Sequence, residues 1–225
     1  MTLRVALMGA GDISFHYQEM LGLSAEKLQE EIAQIAKALE KSEAELVVLP
    51  DKGISFEIAK KFKEFGGGKV IGTVPKSDTE IGVKHLEEFR NAKVGGKKLF
   101  DEEIDTGTWY KQDLTHGIFG DCILLLGVSL GSMGALSYAF YLYKLFGGFK
   151  AGVSASSKHI HLQARCGERV PFTVFAYKPF LKAELPFEIS QYIERAGGKL
   201  HYVHNAKELE IALEALQQKE AAQKR

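Results

Sequence analysis

Residues 121–140 read DCILLLGVSLGSMGALSYAF. The run from Cys122 to Leu126 is continuously apolar with no polar alternation, as expected of a strand buried on both faces in a parallel sheet covered by helices. It is followed by GVSLGSMG, residues 127–134, and then by an apolar pattern that predicts a helix from about Gly134 to Leu145. A buried strand, a small-residue turn and a helix form the repeating unit of a doubly wound sheet, whose ligands bind at the carboxyl ends of the strands.

The same unit recurs outward from this stretch. Arg4 to Met8 predicts a first strand, and Leu28, Ile32, Ile35, Ala36 and Leu39 recur at helical spacing behind Ser24 as N-cap and Glu26 in the first turn. Residues 45–49 predict a second strand; Phe56, Ile58, Ala59, Phe62 and Phe65 mark a helix stopped by Gly66 to Gly68, and 69–74 a third strand ending at Pro75. Residues 76–117 are polar and glycine-punctuated, with a short helical pattern near 83–89 and a strand or ribbon at 98–104. Beyond the central stretch the pattern predicts strands at 171–177 and 199–203 and helices at 186–196 and from 206 to about 217. The expected fold is α/β, a Rossmann-like doubly wound sheet, mostly parallel with helices on both faces, as one domain over 1–225.

Composition narrows the function classes. The 225 residues carry 29 Lys+Arg against 29 Asp+Glu, so no net basic field exists to hold a nucleic-acid backbone. No apolar run is long enough to span a bilayer. The first strand pattern begins too early for a signal-peptide core, so a cytoplasmic protein is expected. Cys122 and Cys166 are the two cysteines, too few for a disulfide scaffold or a structural zinc site. His159 and His161 form an H-x-H pair without nearby acidic or thiol partners, so neither a metal nor a resident cofactor is expected.

Three turns are rich in small residues, and such turns aim backbone N–H groups at an anion near a helix N-terminus. The first holds Gly9, Gly11 and Asp12. The second holds Asp51, Lys52, Gly53 and Ser55, with Lys52 in reach of a phosphate and Asp51 or Ser55 as helix caps. The third holds Ser129, Gly131, Ser132 and Gly134. Trp109 and Tyr110, beside Lys111, offer a stacking surface for a base. Asp113 and His116 are candidate acid–base groups in the same stretch.

At these turns the chain resembles the Rossmann-like superfamily typified by the LOG phosphoribohydrolases, also known as lysine-decarboxylase-like proteins. GGGKVIGTVP, 66–75, is similar to the family's "aGG-x-ViGv-x-P" stretch and follows DKGISFEIAKKF, 51–62, in the place of a glycine-rich turn and helix. DTGTWYKQDLTHGIFGDCILLLGVSLGSMGALSYA, 105–139, resembles the segment running from an Arg-Lys or Arg-Asn pair to P-G-G-x-G-T-x-x-E. The match keeps Gly131, Gly134, Leu136 and Ser137. It sets Ser132 at a glycine, Ala135 at the threonine, Tyr138 at the catalytic glutamate and Lys111-Gln112 at the arginine pair.

The resemblance implies a homodimer or larger homo-oligomer and cleavage of an N-glycosidic bond in nucleoside monophosphates. A tyrosine with a pKa near the usual ~10 does not replace the missing acid at neutral pH. The leading expectation is therefore a protein that binds a nucleotide or nucleotide-derived phosphate through its turns, with the hydrolase chemistry lost. Gly131, Ser132, Gly134 and Ser129 would donate to the anion, Lys111 would offset its charge, and Gly9, Gly11 and Asp12 would line the opposite side. Two alternatives stay open. One is a phosphoribohydrolase with an acid recruited from Asp113 or Glu102; the other is an NAD-dependent oxidoreductase using GAGD at 9–12, disfavoured by the missing third glycine.

Overall fold

The computed structural model describes residues 2–78, 83–145, 151–152, 163–164 and 172–222. At its centre lie seven strands: β1 (Arg4–Met8), β2 (Glu45–Val48), β3 (Val70–Val74), β4 (Glu102–Asp105), β5 (Cys122–Leu125), β6 (Thr173–Tyr177) and β7 (Lys199–Val203). They pair in the order β4-β3-β2-β1-β5-β6-β7, and every pairing in this sheet is parallel. Register follows from Leu7 opposite Leu124, Ala6 opposite Val47 and Val174 opposite Ile123. The Rossmann-like doubly wound fold expected from the alternating pattern is the fold observed.

Successive residues of a strand face opposite sides, and β1 divides accordingly. Val5 and Leu7 join one apolar cluster with Leu28, Ile32, Ile35 and Leu39 of helix α1 (Ala25–Lys41), Phe62 of α2 (Ile54–Glu64) and Leu209 of the last helix, Ala206–Ala222. Ala6 and Met8 join the other cluster with Leu136 and Ala139 of the helix Leu130–Leu145 and Ile193 of the helix Phe187–Arg195. In chain order, α3 is the short helix Trp109–Thr115 and α4 is Leu130–Leu145. Four fully buried aliphatic side chains on α1, Leu28, Ile32, Ile35 and Leu39, at about 1.5–3 kcal/mol each, hold it against the sheet. Ser24 caps α1 as expected, its hydroxyl oxygen accepting from the Lys27 amide at 3.2 Å.

The segment 98–104 resolves into two elements. Lys97–Lys98 pairs with Lys93–Val94 in an antiparallel ribbon, while Glu102–Asp105 extends the main sheet as edge strand β4. Arg90 clasps Glu103 with two 2.9 Å bonds, and together with Lys76 it holds that carboxyl far down, at about 2. A second ribbon pairs Ala151–Gly152 with Gln163–Ala164. His159, His161 and Cys166 lie outside the described residues. No helix among the described residues is long and apolar enough to cross a membrane.

The chain adds strands in one direction from β1 to β4, then crosses back to place β5 on the other side of β1. This reversal is the topological switch point, and it sets the turns after β1 and β5 side by side.

Candidate functional site

The turn after β1, Gly9-Ala10-Gly11, touches the turn after β2. Gly53 adopts φ +130, and a Cβ there would lie 2.7 Å from the Ala10 carbonyl oxygen and 2.8 Å from the Gly11 Cα. Only glycine fits this approach, through which the Ile54 amide donates to the Ala10 carbonyl at 3.2 Å. Gly9 is confined in the same way, since a Cβ would meet the Ile54 side chain and Leu126.

Asp12 then starts an unforeseen element, the π-helical turn Ser14–Met20, by accepting the Phe15 amide on its side chain at 3.0 Å. This turn carries the fully buried Tyr17, whose hydroxyl donates to the Leu126 carbonyl and accepts from the Ala10 amide at 3.3 Å. Burial pushes its pKa well above the usual phenol range, so it stays a neutral clamp across the β1 and β5 ends.

After β5, Gly127 turns the chain at φ +144. Ser129 and Ser132 then cap α4 reciprocally: the Ser132 amide donates to Ser129 Oγ at 3.1 Å and the Ser129 amide to Ser132 Oγ at 2.8 Å. Ser132 Oγ donates in turn to the Gly127 carbonyl at 2.9 Å. Gly131 is exposed, with Ser129 Oγ, at 3.9 Å, the nearest atom to a virtual Cβ. The amide of Gly131, in the first turn of α4, has no hydrogen-bond acceptor among the described residues.

Below these turns lies α3, which the irregular pattern at 76–117 does not predict. Its first amide, on Trp109, donates to Asp78 at 2.8 Å, and its buried Gln112 joins a polar chain of defined direction. The Thr106 hydroxyl donates to Gln112 Oε1 at 3.1 Å, and Gln112 Nε2 donates to Thr73 Oγ1 at 2.8 Å. Thr73 therefore has its hydroxyl proton free for His116 Nδ1 at 3.0 Å, and His116 Nε2 donates to the Leu7 carbonyl at 3.0 Å. Because that carbonyl only accepts, the imidazole is the neutral Nε2–H tautomer. Burial lowers its pKa, the bond to Leu7 opposing in part. Both ring nitrogens are engaged, so His116 braces the sheet rather than offering a free acid or base.

These parts enclose a cavity of about 340 Å³ at the switch point, within the size range of small-molecule sites. It gathers Gly9, Gly11, Lys52, Gly53, Asp113, Ser129, Gly131 and Ser132, together with Asp51, Ser55, Trp109 and His116. The amino ends of α2 and α4 meet here. Asp12, Lys111, Gly134 and Tyr138 are not among its walls: Asp12 caps the π-helical turn, and the Lys111 side chain lies against Gly107. Gly134 sits within α4, and Tyr138 is on that helix's exposed side near Tyr141. Glu102 pairs with Lys69 on the edge strand. No group of three metal-ligating side chains occurs among the described residues.

Burial raises the Asp113 pKa, the one cause acting on it. An acid whose folded pKa lies above its unfolded value binds more protons in the native state. Stability is then lost as pH rises from the ordinary 3.8 through the raised value. Asp113→Asn is therefore expected to raise Tm at pH 7 and leave it unchanged near pH 3, as read by thermal melts across that range. An equal Tm at pH 7 would show that the carboxylate carries no burial cost.

No protein-family model matches the chain, and no curated protein matches it in sequence. Its fold is shared with solved structures. The molybdenum cofactor carrier protein of Chlamydomonas reinhardtii gives a TM-score of 0.58 at 15% identity, over 96% of this chain and 99% of that one. The molybdenum cofactor binding protein of the phototrophic bacterium Rippkaea orientalis gives 0.54 at 10% identity, over 96% and 98%. A structural-genomics target, TM1055, gives 0.54 at 15% identity, over 97% and 99%. Each covers nearly the full length of both chains.

Proposed function

We propose that this protein binds a phosphorylated ligand bearing a planar heterocycle, a nucleotide or nucleotide derivative, and holds it without cleaving it. The observation that carries this reading is the convergence of two helix amino ends and the Gly9–Gly11 turn on one cavity. Unpaired amides at such ends and the ammonium of Lys52 suit a phosphate, and Trp109 supplies a flat surface for a ring. Loss of cleavage is supported by Tyr138, which stands at the family's glutamate in the resemblance and lies outside the cavity walls. Two proteins of the same fold are by name a carrier and a binder of the molybdenum cofactor. Their names favour carriage over hydrolysis.

The test is a thermal-shift screen, with mass spectrometry of the mixture, against nucleoside monophosphates, NAD, ADP-ribose, cyclic nucleotides and pterin phosphates. A ligand at 100 times its Kd should raise Tm by about 5–10 °C and be recovered intact. Absence of any shift across the panel would overturn the reading.

One observation favours a second reading, a phosphoribohydrolase. Asp113 lines the cavity with a raised pKa, as a general acid requires. Release of ribose 5-phosphate and free base in the same screen, abolished by Asp113→Asn, would establish it in place of the first.

A further inference from the structure

We infer that the cavity selects a heterocycle with a 2-amino-4-oxopyrimidine edge, the edge common to guanine and pterin, stacked on Trp109 and read by the Asp113 carboxylate. This inference rests on the phosphorylated-ligand reading above and names the class of heterocycle. Trp109 and Asp113 stand four residues apart on α3, so they share one face of that helix, and both line the cavity.

The other hydrogen-bonding side chains of the walls are largely committed. Asp51 accepts the Lys52 amide at 2.7 Å, His116 spends both nitrogens, and Ser129 and Ser132 bond each other. Asp113 differs: it is half-buried and has no hydrogen-bond or ion-pair partner among the described residues, burial alone acting on its acidity. An ionised carboxylate only accepts, and taking it from water without donors is costly.

A ligand presenting two parallel N–H donors meets both carboxylate oxygens at once. Guanine and pterin do so with a ring N–H beside an exocyclic amino group. Adenine offers one donor beside one acceptor, which places a lone pair against a carboxylate oxygen. A planar, neutral donor pair also lies flat on an indole face. The phosphate then lies toward Lys52 and the amino ends of α2 and α4, in the same cavity.

Isothermal titration calorimetry at pH 7.5 with GMP, AMP, neopterin phosphate and ribose 5-phosphate tests this on the full chain. GMP and neopterin phosphate should bind at least about tenfold more tightly than AMP, as expected of one bidentate pair. Asp113→Asn, whose carboxamide suits adenine, should weaken GMP by about 10- to 100-fold, narrow or reverse the gap to AMP, and leave ribose 5-phosphate unchanged. Trp109→Leu should weaken all three heterocyclic ligands while sparing ribose 5-phosphate. Equal GMP and AMP affinities in the unmodified protein, or a preference that survives Asp113→Asn, would overturn the inference. If ribose 5-phosphate still binds in that case, the phosphate reading stands alone; if none of the four probes binds, both fall.

Discussion

Gly131→Val is expected to weaken binding of the proposed phosphorylated ligand by about 100-fold or more, because the branched side chain would project into the cavity proposed to hold its phosphate. The fold should hardly register the change. Gly131 is exposed, with no positive φ, and a Cβ there meets nothing closer than Ser129 Oγ at 3.9 Å. Surface substitutions of this kind stay within about 0.5 kcal/mol, or roughly 2 °C in Tm. Two glycines frame the result. Gly134→Val, in α4 with open space at its Cβ and outside the cavity walls, should leave affinity unchanged. Gly53→Val, forced onto the Ala10 carbonyl at φ +130, should disturb the fold itself. Calorimetry and thermal melts on the three variants separate binding from folding. Unchanged affinity in Gly131→Val, with the ligand still bound, would remove the α4 amino end from the site.

A large loss of stability is expected from His116→Leu. The substitution strands the Leu7 carbonyl and the Thr73 hydroxyl in the interior, where each unsatisfied group costs about 1–3 kcal/mol. A total of about 3–4 kcal/mol corresponds to a fall in Tm of roughly 10 °C for a chain of this size. Adding Thr73→Val removes the stranded hydroxyl but leaves the buried Gln112 Nε2 without its acceptor, so the double variant should gain no stability over His116→Leu; a recovery would mean that Gln112 does not depend on Thr73.

The pH dependence supplies an independent check. Burial lowers the His116 pKa from the ordinary 6.5, so the unfolded chain binds the proton more readily. His116's contribution is therefore complete above pH 6.5 and is lost as pH falls through the depressed value, a slope that His116→Leu should abolish.

The fold was legible because its central strands are buried on both faces and α1 and α2 carry clear apolar stripes. Arg4–Met8 and Cys122–Leu125 announce themselves by composition alone, and Ser24 marks the start of α1. Elements that depend on distant partners were not legible. Residues 109–115 lack a helical stripe, and α3 is held by Asp78 at its first amide and by the link from Gln112 to Thr73. The π-helical turn buries His16 and Tyr17 within seven residues, too short a run for a helical period to register, and Tyr17 is secured by Leu126. Helix α4 begins at Leu130 rather than Gly134, since its glycines read as turn while the serine pair in fact caps a helix.

The site divides along the same line. Glycine-rich turns at strand ends point to Gly9, Gly11, Gly53 and Gly131 directly, and the structure brings them to one cavity. Lys111 and Tyr138 came forward through family positions, and their side chains are placed by local geometry that such positions do not convey: one lies against Gly107, the other on the exposed side of α4. Trp109 was visible as a stacking group. The commitment of His116 to a buried chain was not, because Leu7 and Thr73 are its neighbours only in three dimensions.

The pairing of β1 with β5 joins residues far apart in the chain, Arg4 and Asp121 being separated by 117 positions. Closing so long a loop is entropically unfavourable until the contacts beyond it form, and sheets rich in such pairings fold slowly. The cavity lies across this seam, so a chain still in the course of folding has no binding site to offer. A ligand acts on the finished molecule alone: it has no purchase on the search for the native topology and restrains only its undoing.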